Sequence, residues 1–234
     1  MKRVLKSIAL MAIVALPFTA GAQDKVETSI GADVVSNYIW RGQKLGDAAF
    51  QPSASVGYAG LSLGAWGSYG FVDKDDVKEI DLTLSYTVGG LTMGVTDYFA
   101  STDASDRYFM YEAHRTIHTF EANIGYDFGV CSLNWFTNFA GADGINKSGK
   151  RAYSSYCEIS APFKLGSSEW TATIGAVPYA TSFYETANGF AVTNVTLQTQ
   201  KDIKVTEHFT LPLFAAITAN PSAQKMYLTA GITF

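Results

Sequence analysis

The chain lacks most of what marks a secreted scaffold or an enzyme. Two Cys in 234 residues cannot staple a disulfide-rich fold. No apolar run reaches the roughly 20 residues that a membrane-crossing helix needs, so only strands could carry the chain through a bilayer. Charged residues are scarce, at 16%, and the formal net charge of −4 argues against nucleic acid as a partner. There is no Gly-x-Ser-x-Gly elbow, Walker loop or dinucleotide fingerprint. The three His are His114, His118 and His208, and no third ligand follows the His114/His118 pair, so all read as loop positions. These absences predict no catalytic residue, cofactor or metal; the protein is not expected to be an enzyme.

What is present points to an exported barrel. Lys2, Arg3 and Lys6 precede an apolar run, Ile8 to Leu16, and a small-residue site at Ala20-Gly21-Ala22. That order predicts a signal peptide over 1–22, cleaved after Ala22, and a single unit over 23–234. Aromatics make up 14% of the chain, and 21 Gly accompany many Ser and Thr, a mixture suited to strands with one apolar and one polar face.

The alternation is explicit. Ile80, Leu82, Leu84, Tyr86 and Val88 interleave with Asp81, Thr83, Ser85 and Thr87; Gly89-Gly90 turns the chain, and Leu91, Met93 and Val95 resume the pattern. Phe120 to Phe128 repeats it, as does the run from Met226 to the terminal Phe234, and Phe136 is expected to point inward. Candidate strands fall at 27–38, 50–58, 60–70, 79–88, 91–99, 118–127, 130–140, 151–163, 169–179, 191–201, 208–219 and 225–234. Short connections alternate with mostly longer ones, and 202–207 and 220–224 are the exceptions. Greek-key crossovers of a soluble sandwich would not keep that parity. The expected fold is therefore all-β: a closed, antiparallel, up-and-down transmembrane barrel of about 12 strands in the bacterial outer membrane. Closure follows because hydrocarbon tolerates no unpaired strand edge. Tyr58, Tyr86, Tyr126, Phe163, Trp170 and Phe234 are assigned to one interfacial girdle; Tyr38, Trp40, Phe99, Phe139 and Tyr153 are assigned to the other.

Ser36-Asn37-Tyr38-Ile39-Trp40-Arg41-Gly42, followed by Gln51-Pro52, resembles the opening of the TorF/Gcw-type porin family, which reads Ser-Asp-Tyr-x-x-Arg-Gly. Asn37 stands where that family carries an acid. The resemblance implies a small outer-membrane barrel and marks Ser36, Tyr38, Arg41 and Gly42 as motif positions at the extracellular mouth. Arg41 either attracts anionic solutes there or ties down the first exterior loop, and the second role fits an arginine fork better.

Strand parity turns Asp33, Asp81, Glu121 and Glu158 inward. They either bias a narrow pore toward cations and neutral polar solutes, or fill a closed interior by pairing with Arg41, Lys150, Arg151 or tyrosine hydroxyls. Two functions follow: a passive channel for small polar solutes, or a non-conducting barrel with a structural, adhesive or surface-recognition role through loop 100–117. A lipid-modifying enzyme ranks third. Outer-membrane lipid, periplasmic chaperones and the barrel-insertion machinery are the partners expected of the class. Cys131 and Cys157 lie on adjacent candidate strands with outward parity; two small lipid-facing residues suit them better than a disulfide.

Overall fold

Side chains alternating between grease and hydroxyl can satisfy both faces only if the sheet separates two environments. In the computed structural model, which describes residues 25–73, 76–166, 168–207 and 210–234, it does so by closing on itself. In chain order the strands are β1 (Glu27–Val35), β2 (Tyr38–Trp40), β3 (Gln43–Gly46), β4 (Ala49–Tyr58), β5 (Leu61–Gly70), β6 (Lys78–Val88) and β7 (Leu91–Ser101). They continue as β8 (His118–Asp127), β9 (Ser132–Gly141), β10 (Ser155–Leu165), β11 (Ser168–Val177), β12 (Ala191–Lys204), β13 (Thr210–Asn220) and β14 (Lys225–Thr233). All but β2 and β3 form one antiparallel barrel of 12 strands, closed where β14 meets β1. Among the described residues no helix is long and apolar enough to cross a membrane.

On β6 the outward Leu84 is 52% exposed and the inward Asp81 only 3%, so the polar face is the interior. Tyr58, Tyr86, Tyr126, Phe163 and Phe234 are exposed, as rim aromatics must be, and Trp170 stacks on Phe163. Cross-strand hydroxyl pairs line the interior of the wall: Thr83 with Thr96 at 3.0 Å, Thr87 with Thr92 at 3.0 Å and Ser160 with Thr173 at 2.8 Å. Such pairs satisfy each other while keeping their side chains short.

The expected parity holds around the wall. The connections after β4, β6, β8, β10 and β12 leave from one end of the barrel, and those after β1, β5, β7, β9, β11 and β13 from the other. The short 221–224 and the longer 205–209 are variations in loop length and do not interrupt the strand order. Residues 1–22, assigned to a signal peptide, and His208 lie outside the described residues. Cys131 and Cys157 are both free thiols: Cys157 faces Trp135 in register, well along the strand from Cys131.

Two strand expectations are corrected. The run 151–163 becomes a strand only at Ser155, because residues 142–154 fold back on themselves, with Ala152 N donating to Gly144 O and Asn146 N to Lys150 O. The run 27–38 ends at Val35. There β1, paired with β4 over nine residues, shares a ladder of only three with β14. The chain then leaves the wall, and polar groups finish the seam. Ser36 N donates to Ala230 O at 2.8 Å, Ala230 N donates to Ser36 Oγ at 3.0 Å, and the Asn37 amide donates to Leu228 O at 2.8 Å. An aspartate at 37 would set a carboxylate against that carbonyl, which gives Asn37 its own reason to be there.

Candidate functional site: the first exterior loop inside the barrel

Beyond Ser36 the chain turns into the lumen as the β2–β3 hairpin, a two-stranded sheet paired only with itself. Its tip is Arg41-Gly42, and both residues have positive φ, 48° and 81°. For Gly42 this conformation is unstrained and also necessary, because a Cβ there would run into the Thr193 carbonyl of β12. The Asn220 amide of β13 donates to Gly42 O at 3.0 Å and holds the tip to the wall.

Arg41 lies inside the barrel near the end that carries the long connections, 7% exposed, and pairs with Glu121 of β8, as the filled-interior alternative expected. The contact is a fork: Nη2 donates to Oε1 at 2.8 Å and Nη1 to Oε2. Nη1 also donates to the Tyr184 hydroxyl from the 178–190 loop, and Tyr98 of β7 donates to Glu121 Oε1 at 2.8 Å. Aromatic rings sandwich the guanidinium, with Phe136 at 4.0 Å, Trp40 at 4.5 Å and Tyr156 at 4.8 Å. A delocalised cation tolerates desolvation when its in-plane donors and its faces are both occupied. Burial holds the Tyr184 hydroxyl above the ordinary phenol range, against the pull of Arg41, so it meets the arginine as a neutral acceptor.

The rest of the hairpin follows the same logic. Tyr38 donates to Glu79 Oε2 at 2.8 Å and packs on Trp66 of β5, while Trp40 stacks on Tyr184 and meets Tyr98 edge-on. Both had been assigned to a girdle; both are buried at the centre of the aromatic cluster. Their place at the end of the 27–38 run suggested a rim, but the wall strand stops at Val35. Phe136, expected to face inward, does so and forms one wall of the seat. Tyr156 fits only because Gly175, across the β10–β11 ladder, has no Cβ to meet its ring.

The inward acids divide into groups. Glu121 is the centre of the seat, and Glu158 joins it through Tyr156, whose hydroxyl bonds to Glu158 Oε2 at 3.0 Å and accepts from the Asn194 amide. Asp81 lies one inward position below Glu79 on β6. Asp33 is apart, on the β1–β14 side. One oxygen each of Asp33 and Asp81 is buried without a hydrogen-bond partner among the described residues. Lys150 makes no ion pair with these acids among the described residues, and Arg151 donates to Gly141 O instead.

Sequence reading missed Glu79, although it shares the inward parity of Asp81, and Tyr98, which is inward among Thr92 and Thr96. Nothing in the sequence pointed to Tyr184, a loop residue that meets Arg41 from 143 positions away. His118 was read as a loop position but is fully buried on the outside of the wall, its ring nitrogens 2.6 Å from Asp97 Oδ1 and from the Tyr108 carbonyl. Loop 102–117 lies over it, which explains how an acid at position 97 is tolerated on the outward face.

Fold and site together define a closed antiparallel barrel stoppered from one end by its own first long loop. No family model matches the chain, and no curated protein matches it.

Proposed function

We propose that the protein is an exported outer-membrane barrel, closed at rest by the 36–48 loop, that acts at the cell surface through its exterior loops. The observation that carries this reading is Arg41 spanning the lumen to Glu121 with its faces and donors occupied. A cation held so completely serves as an anchor and attracts no passing solute. The exposed apolar band fits a hydrocarbon surround, and the Ser36–Gly42 motif, in resembling the TorF/Gcw-type porin family, supports the same location. Loop 102–117, with Phe109 87% exposed beside Arg107 and Tyr111, is the surface best suited to recognition.

A second reading is a passive channel for small polar solutes. The polar lining below the hairpin favours it, since Thr83, Thr87, Ser160 and Thr173 are only half-buried. That function requires the hairpin to leave its seat. Planar-bilayer recording of the refolded wild type separates the two: silence is expected from a protein shown to be folded by heat-modifiable gel mobility, and stable steps would overturn the closed-barrel reading.

The membrane assignment has its own test. Leu84→Arg places a cation midway along an outward face and is expected to cost about 2–4 kcal/mol of stability in phospholipid vesicles. Urea unfolding checks it; a change of a few tenths would mean that this face meets water.

A further inference from the structure

We infer that the seat occupied by Arg41 is a binding site for guanidinium-bearing organic cations, the loop's own arginine standing in for the ligand. The inference rests on reading the 36–48 loop as a displaceable plug. Apart from Trp40, which moves with the hairpin, every group that holds the guanidinium belongs to the wall or to loop 178–190. Glu121 supplies both carboxylate oxygens, Tyr98 fixes that carboxylate, Tyr184 accepts, and Phe136 and Tyr156 offer their ring faces. With the hairpin withdrawn, a cage open to a flat, forked cation remains, built on neighbouring strands of a closed sheet.

The attachment of the hairpin is suited to exchange. Among the described residues no backbone ladder ties β2 or β3 to the barrel; single hydrogen bonds, including Val77 N to Leu45 O, and the packing of Tyr38 and Trp40 in the aromatic cluster hold it. The lumen around it carries Asp33, Glu79, Asp81, Glu121 and Glu158, for which Arg41 is the buried cation within the barrel among the described residues. Asp81, with one oxygen that has no hydrogen-bond partner among the described residues, adds to the acidic character of this side of the lumen. Geometry selects the chemical class. Two coplanar donors engage the two oxygens of Glu121 while the faces stay apolar, and a compact ammonium, which must keep its hydration or find three acceptors, fits neither feature.

The test vacates the seat. Refolded Arg41→Ala barrel is titrated with methylguanidinium and with methylammonium, and binding is read by calorimetry and by the unfolding midpoint. The expected result is at least tenfold tighter binding of methylguanidinium, lost in Arg41→Ala/Glu121→Gln. Equal binding of the two cations, or binding unchanged in the double variant, overturns the site. A second measurement uses the wild type and does not depend on the variant folding. Methylguanidinium is expected to speed protease cleavage within 36–48, and methylammonium at equal concentration is not; no difference between them overturns displacement. Wild-type conductance without ligand would defeat the plug reading while leaving the variant's selectivity intact, so the two failures are distinguishable.

Discussion

Glu121→Leu is expected to destabilise the barrel by about 3–5 kcal/mol, because Arg41 would stay buried with its partner gone. Tyr98 loses its acceptor in the same step. The double variant Arg41→Leu/Glu121→Leu is expected to recover most of the loss, since apolar residues in place of a buried ion pair cost little and here would pack among Trp40, Phe136, Tyr156 and Tyr184. Urea unfolding in vesicles of the wild type, the two single leucine variants and the double variant measures the cycle. If the double variant were as unstable as the sum of its single changes, Arg41 and Glu121 would not act as a unit. The same samples report on gating: Glu121→Leu should show fluctuating conductance where the wild type is silent.

Gly42→Val addresses the plug without touching any charge. A side chain at φ +81° costs about 1–3 kcal/mol in backbone strain alone, and its Cβ overlaps the Thr193 carbonyl of a wall that cannot retreat. The hairpin is therefore expected to stay out of the lumen although Arg41 and Glu121 are both present. Limited proteolysis should cut within 36–48 at least tenfold faster than in wild type, with the strands left intact. Resistance equal to wild type would mean that the tip seats without close approach to β12.

The barrel was legible in the sequence for a simple reason: strand alternation is a local signal, and it is explicit on β6, β7, β8 and β14. The inward acids were legible by the same parity. The plug was not: Val34-Val35-Ser36-Asn37 breaks the alternation near the end of the 27–38 run but does not say where the chain goes next. Its course is set by partners far away in sequence: Ala230 and Leu228 at the seam, Glu121 and Tyr184 in the lumen. Parity says only that Tyr38 and Trp40 lie on one side; it does not report that the chain has left the sheet. His118 escaped for a related reason, since its burial depends on a loop folding over the outer wall, with Tyr111 4.2 Å from its ring.

The way β1 meets β14 also ties the closure of the barrel to the placement of its first loop. Ser36 and Asn37 bond the final strand just where the chain leaves for the lumen, through contacts that join positions 194 and 191 apart. The amino-terminal arm is held to β4 on one side by nine paired residues, and the final strand supplies the second, shorter anchor on the other. A chain shortened by its final strand should therefore lose two things together, the partner of the β1 edge and the Ser36 and Asn37 bonds that set where the chain turns into the lumen.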